Sequence, residues 1–283
     1  MTRSSWKDAL EPAVRERFRD VYRSYDIVGD ILVVKIPYDL QGEREEIGEV
    51  LLGMNPGVRL VLQVVGRTSP RLRTRKLARI AGSGPPVTEH REHGTAYFVD
   101  LSRVFFSPRL SHERWRVARQ VEDGERVVNM FAGVGCYSLL IAKHREASVL
   151  SIDSNPDAIA CMREGIRRNE LLGEVVPLLG DARDVCADLH SIDRAILPLP
   201  EVADEFLGTA ISTMDGGGEI NHYREAEGPR SVCLRDSAER LSQILESLDP
   251  GGFEILRSRV VRSVGPKRWH VAHDLLYNGP DRR

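Results

Sequence analysis

The stretch "VVNMFAGVGCYSLLIAK", Val127 to Lys143, runs an apolar segment into a glycine-spaced turn and out into a second apolar segment. Buried strand, tight turn and helix make the opening unit of a doubly wound sheet, where ligands sit beyond the carboxyl ends of the strands. The same alternation repeats downstream. "SVLSID" and "PDAIACMREGIRRN" read as strand and helix and "EVVPLLG" as a third strand. "DRAILPLP" is a fourth, followed by a helix over "VADEFLGTAIST", and "GGEINHY" is a further strand. Short connections between such elements imply a parallel sheet flanked by helices. The last apolar segments, "FEILRSRVVRSV" and "WHVAHDLLYN", are joined by "GPKR". That link leaves no room for a crossover helix, so the two segments pair antiparallel and close the sheet.

Upstream the rhythm differs. A helix over Trp6 to Tyr25 precedes an alternating strand, "DIVGDILVVKIP", and a helix near Glu43 to Leu52. "VRLVLQVVG", "RTRKLARIAG", "PPVTEHRE" and "GTAYFVDLS" are further strands. The expected organisation is a small α+β domain over residues 1–107 and a larger α/β domain over 108–283. Six parallel-type strands ending in an antiparallel hairpin is the architecture of class I S-adenosylmethionine (SAM) methyltransferases: a Rossmann-like, mixed seven-stranded sheet.

Composition narrows the classes. The chain has 283 residues, 41% of them apolar, and no apolar run near the roughly 20 residues of a membrane span. Its first residues, "MTRSSWKDALEPAVRERF", are charged and lack the apolar core of a secretory signal, so a cytoplasmic location is expected. Cys136, Cys161, Cys186 and Cys233 are scattered, with none of the close pairs that metal or redox sites use, and no metal is expected. A net charge of −2 argues against wholesale polyelectrolyte binding. Arginines nevertheless cluster at Arg67, Arg71, Arg73, Arg75 and Arg79, and again at Arg109, Arg114 and Arg116. Solvated surface is the plain reading of both clusters.

The turn Phe131-Ala132-Gly133-Val134-Gly135 lacks the third glycine of the dinucleotide fingerprint, so a pyrophosphate fits it poorly. Asp153 ends the second strand, with Ser154 next to it, where a carboxylate accepts from both ribose hydroxyls. Asp181 ends the third, where a carboxylate accepts from an adenine amino group while Ala182 offers its backbone N–H. Glycine, acid and acid on consecutive strand ends describe an adenosine site without a phosphate cradle; three solvated loop acids are the alternative. After the fourth strand, Pro198 and Pro200 remove two donors and lock two φ angles. A stiff, acceptor-only ledge results, or simply a rigid loop.

With these residues in view, the chain resembles the archaeal and eukaryotic tRNA (guanine-37, N1)-methyltransferase family and its relative, the wybutosine-pathway aminocarboxypropyl transferase. The resemblance rests on "YDIVGDILVVKIP", "RTRKLARIAG", "RVFFSPRLSHER", "NMFAGVGCYSLLIAK", "SIDSNPDAI", "DRAILPLPEVADEFL" and "RWHVAHDL", in that order, and covers nearly all of the chain. It implies methyl transfer from SAM to tRNA beside the anticodon, by a protein expected to be a monomer. By motif, Glu113 matches the carboxylate acting as general base on guanine N1–H. Arg109 and Arg114 match arginines near the RNA phosphate and the methionine end of SAM, and Arg73 matches the arginine that meets the base oxygen. Phe105 stands where tyrosine is common, and Pro198-Leu199-Pro200 aligns with Asn-Leu-Pro or Asn-Pro-Pro.

The chemistry agrees with these roles. Guanine N1 must lose its proton as it attacks a methyl carbon, which a carboxylate within reach provides, while a guanidinium at O6 stabilises the charge that develops there. An extruded base held against Phe105 and the ledge would be positioned for attack. Plainer readings are a surface ion pair between Glu113 and Arg109, four apart on one helix, and a phosphate contact for Arg73. His112, His222 and His270 receive no role.

Two departures qualify the resemblance. Pro198 replaces an asparagine that family members use at the reacting base, and the chain begins directly with the "DIVGD" module, so the extra N-terminal domain of larger relatives is expected to be absent. Rival activities are aminocarboxypropyl transfer, methylation of the tricyclic wyosine intermediate at the same position, and tRNA binding without catalysis. Retained "SPRLSHER" and Asp153 favour the methyl-transferring branch.

Overall fold

The computed structural model describes residues 25–66, 74–249 and 252–279, and the chain divides into two compact units, Met1–Arg109 and Leu110–Arg283. The helix expected over Trp6 to Tyr25 falls outside the described residues, Tyr25 apart.

In the first unit, strands β1 (Asp26–Val28) and β2 (Ile31–Val34) are an antiparallel pair, not the single strand that the alternation suggests. Gly29 causes the reversal. Its φ is +56°, and a Cβ there would lie 2.1 Å from Thr88 Oγ1, so neither the backbone angle nor the space admits a larger residue. Asp30 then ties the turn down, accepting from Thr88 Oγ1 at 2.7 Å and Arg59 Nε at 2.8 Å. Helix α1 (Arg44–Met54) connects β2 to its parallel neighbour β3 (Leu60–Val64), and β4 (Leu77–Gly82) follows antiparallel, giving the order β1-β2-β3-β4. Ile47 and Leu51 of α1 pack on Leu32, Val34 and Val61 of that sheet. Strands β5 (Val87–Glu92) and β6 (Thr95–Asp100) form a separate ribbon.

The second unit begins with α2 (Ser111–Ala118), β7 (Arg126–Asn129), α3 (Cys136–His144), β8 (Ser148–Asp153), α4 (Pro156–Arg167) and β9 (Glu174–Leu179). It continues through α5 (Ala182–Val185), β10 (Arg194–Leu197), a 3-10 turn (Ala203–Phe206), α6 (Leu207–Ser212) and β11 (Gly218–Glu227). Last come α7 (Arg230–Leu248), β12 (Phe253–Gly265) and β13 (Arg268–Tyr277). The sheet order is β12-β13-β11-β10-β7-β8-β9. Strands β7 to β11 are parallel, while β13 runs antiparallel between β11 and β12. Six strands therefore share one direction, as the sequence implied, and the loops after β7, β8, β9 and β10 gather at one edge.

Val117, Tyr137, Leu140 and Ile141 cover one face of the sheet, and Leu207, Ala210, Leu241 and Leu245 the other. Helix α7 went unread in the sequence, although Cys233, Ser237, Leu241 and Leu245, which it buries, stand four apart. Below the sheet the fully buried Arg194 joins Glu125 and Glu219, each at 2.8 Å. Among the described residues no helix is long and apolar enough to cross a membrane.

Candidate active site

The glycine turn and Asp153 form one unit. Gly133 and Gly135 have φ of +55° and +82°, and the two are needed for different reasons. A Cβ at Gly135 would meet Met162 Cγ at 2.7 Å, whereas one at Gly133 would project into open space. Gly135 is a packing glycine; Gly133 borders open space. Its N–H donates to Asp153 Oδ2 at 2.7 Å, and Asn155 N–H donates to Oδ1 at 2.9 Å. Burial nonetheless pushes the Asp153 carboxyl above the usual carboxylate range. Each oxygen keeps a second acceptor position, which suits the two ribose hydroxyls. Ala132 is buried, Ser154 exposed, and Phe131 meets Phe206 edge-on with centroids 4.8 Å apart. The turn carries two glycines and not the three of a dinucleotide cradle, and the open acceptor positions of Asp153 fit the ribose of an adenosine.

Asp181 is less free than its position in sequence implies. It caps α5 through Arg183 N–H at 2.9 Å, and the Arg183 guanidinium returns to both its oxygens at 3.1 and 3.0 Å. Those hydrogen bonds from Arg183 hold its carboxyl below the usual range. Arg183 also lies over the Phe206 ring at 4.8 Å, and Asp181 Oδ2, which accepts one bond from it, keeps a second acceptor position for which an adenine amino group would compete beside that guanidinium.

The proline ledge is a closed turn. Leu199 carbonyl, between Pro198 and Pro200, accepts from Val202 N–H at 3.1 Å and Ala203 N–H at 3.0 Å, so the middle acceptor is already engaged. Asp204, just beyond, reaches down to β11, 3.1 Å from His222 Nε2 and 2.9 Å from Arg224 Nη2. Burial raises the Asp204 carboxyl, but His222 and Arg224 more than offset this and hold it low. His222, given no role from sequence, thus has a carboxylate neighbour beneath the ledge.

Glu113 is buried, with 3% of its side chain exposed, and its partner is not Arg109. Arg109 lies in the 3-10 turn Pro108–Leu110, before α2, and bonds Asp26 within the first unit. Instead Glu113 Oε1 accepts from Arg116 Nε and Nη2 at 3.0 and 2.7 Å and from the Tyr223 hydroxyl at 2.9 Å. Oε2 lies 3.1 Å from Arg259 Nη1. Arg116 also holds Asp274, at 2.5 Å, and Asp274 accepts from Gln120 and Asn221 at 2.9 Å each. Arg114 is 2% exposed. The second arginine cluster is therefore largely interior, contrary to the solvated reading. Only the i,i+3 spacing of Glu113 and Arg116 was visible locally; Tyr223, Arg259 and Asp274 come from strands far along the chain.

The substrate-side candidates belong to the first unit. Arg73, with Arg67 and Arg71, falls outside the described residues. Arg75 is described, its guanidinium 5.1 Å from the Phe105 ring centroid. With Lys76 and Arg79 it lines a cavity of about 500 Å³ floored by Leu60 and Leu62.

Comparison with known proteins gives the family. Residues 88–250 match the TRM5/TYW2 methyltransferase domain and residues 6–85 the TYW2 N-terminal domain. The chain belongs to the TRM5/TYW2 methyltransferase family. It is 38% identical, over 89% of its length and 74% of the relative's, to the tRNA (guanine(37)-N(1))-methyltransferase Trm5b of Pyrococcus abyssi. The crystal structure of that protein superposes with a TM-score of 0.84, covering 98% of this chain and 82% of the other. The tRNA 4-demethylwyosine(37)-methyltransferase Taw21 of Saccharolobus solfataricus is 34% identical over 92% of this chain and 96% of its own. A complex of aTrm5 with tRNALeu, 30% identical, superposes with a TM-score of 0.85 over 98% of this chain and 79% of that one. The TRM5/TYW2 fold is a SAM-dependent methyltransferase fold, and SAM is the cofactor of this enzyme.

Proposed function

We propose that the protein methylates N1 of guanine at position 37 of tRNA. SAM supplies an electrophilic methyl group on a sulfonium, and Asp153, Asp181 and the turn Phe131 to Gly135, with Ser154, Ala182, Pro198 and Arg114, are the residues assigned to hold it. The observation that carries the reading is Glu113: Oε1 is saturated by three donors, while Oε2 accepts no hydrogen bond among the described residues and faces the Arg259 guanidinium. A carboxylate so arranged has one oxygen for the fold and one for a substrate proton. Glu113 takes the N1 proton at Oε2, leaving the N1 lone pair free to attack. Arg73 answers the charge that develops at O6, and Phe105, Arg109 and the Pro198 to Pro200 turn position the base. Residues 1–107 serve as the RNA-positioning part, with Arg75, Lys76 and Arg79 as phosphate contacts. The same reading makes the protein a metal-independent monomer acting in the cytoplasm, and prior treatment with a chelator should leave its rate unchanged.

A second reading follows from Pro198. Without an asparagine side chain there, the N1 edge loses a donor and an acceptor, and the similarity to Taw21 spans nearly the whole of that relative. On that reading the acceptor is the tricyclic intermediate. Incubating the protein with SAM and unmodified tRNA, then digesting and weighing the nucleosides, separates these cases. One methyl at N1 of guanosine supports the first. No product until the tricyclic precursor is supplied supports the second, and an aminocarboxypropyl mass refutes both.

A further inference from the structure

The hydroxyls behind Glu113 form a directed chain. Tyr137 Oη donates to Tyr223 Oη at 3.1 Å, and Tyr223 Oη donates to Glu113 Oε1 at 2.9 Å. Both rings are buried, 6% and 4% exposed, between α3 and β11. Because Tyr223 receives the Tyr137 proton, its own proton has one place to go, and that is Oε1. Tyr137 is the second residue of α3, directly after Gly135. Tyr223 follows His222, whose register partner is Leu197, the last residue before Pro198. The chain thus runs from the helix that follows the glycine turn, past the strand beside the proline turn, to the carboxylate. On the opposite oxygen stands Arg259, one-third exposed and not in hydrogen-bonding geometry, the neighbour best placed to move aside.

We propose that Tyr223, backed by Tyr137, is a positioning residue for methyl transfer: it fixes the rotation of the Glu113 carboxylate so that Oε2 alone is presented to the substrate proton. This rests on the reading of Glu113 as the base. Arg116 reaches Oε1 from the same helix as Glu113 and is tied to the sheet at one remove, through Asp274 of β13. Tyr223 holds Oε1 directly from β11. A carboxylate free to rotate would divide its time between productive and idle orientations, and proton transfer tolerates little misplacement.

The test is a double-mutant cycle on single-turnover methyl transfer to unmodified tRNA, at saturating protein and SAM, for wild type, Tyr223→Phe, Glu113→Gln and the double variant. Tyr223→Phe should slow the step about tenfold, as expected for a hydrogen bond to a charged acceptor, with SAM and tRNA dissociation constants unchanged. In the Glu113→Gln background the same change should cost nothing further, because residues acting as one unit are not additive. Tyr137→Phe, one bond further back, should give a smaller loss that likewise vanishes in that background; it serves as the probe should Tyr223→Phe fail to fold. A wild-type rate for both tyrosine variants, or losses that add fully to that of Glu113→Gln, overturns the inference while leaving the base in place. If Glu113→Gln itself turns over normally, the base reading fails first and the positioning role falls with it.

Discussion

Asp153 and Glu113 are both enclosed carboxylates of the second unit, yet backbone N–H groups hold the first and side chains hold the second. Asp153 bonds Gly133 and Asn155, within one strand–turn–helix neighbourhood. Glu113 depends on an arginine of its own helix, a tyrosine of β11 and an arginine of β12, with Asp274 of β13 bracing Arg116 from behind. Backbone donors leave an acid with spare acceptor positions and no compensating charge. A side-chain cluster supplies charge, and it also couples the acid to elements more than a hundred residues away. The first arrangement suits a hydroxyl-binding hook that must be present before the ligand arrives, the second a group whose orientation decides a reaction.

The largest effect should come from the clustered acid. Glu113→Gln is expected to slow methyl transfer by about 10²- to 10⁴-fold, the usual worth of a general base, with tRNA affinity intact. A variant of near wild-type rate would remove the contrast in function. Next, Asp274→Ala should destabilise the protein by about 3 kcal/mol in denaturant unfolding, since it leaves Arg116 half-paired in the interior. An equal loss from Asp153→Ala would erase the distinction between the two forms of support. Asp153→Ala should instead weaken SAM binding by about 2 kcal/mol by calorimetry, the acceptor for buried hydroxyls being gone; unchanged affinity takes Asp153 out of the site.

Acid sharpens the comparison, because the two groups shift in opposite directions. For Asp274, burial raises the carboxyl, but the bonds from Arg116, Gln120 and Asn221 outweigh it and set the folded value below the unfolded one. Its stabilising contribution is present above the unfolded value and is lost as pH falls through the folded one. Asp153 is raised by burial, so its contribution is present below the unfolded value and is lost as pH rises through the folded one. Asp274→Asn should therefore flatten the acid side of the stability curve and Asp153→Asn should steepen it. SAM affinity should begin to fall at a pH above the ordinary carboxylate value as Asp153 protonates. The smallest change belongs to Arg183→Ala: removing an exposed competitor for Asp181 should tighten SAM binding by about twofold. Weaker binding would show that Arg183 touches the ligand instead.

The same contrast explains what could be read from sequence. Gly133, Asp153 and the strand alternation are local signals, and they located the sheet and the turn that bonds to Asp153. The β1–β2 reversal was hidden because its cause, the close approach of Thr88 and Glu89 to Gly29, lies some sixty residues further on. Arg109 was assigned a helical neighbour, but the helix starts only at Ser111. Tyr223 and Asp274 lie in stretches read as strands, but nothing local links them to α2, to which strand order alone joins them.

That strand order has a consequence for how the protein is made. Strand β13, synthesised after β12, is inserted between it and β11, so on the ribosome β12 has no permanent neighbour in the sheet until residues 268–277 emerge. Until then Arg116 lacks its brace and an apolar slot beside β11 stays open, a period when a nascent chain is exposed to misassociation. The acid proposed to do the chemistry is thus among the last parts of the molecule to be set in place.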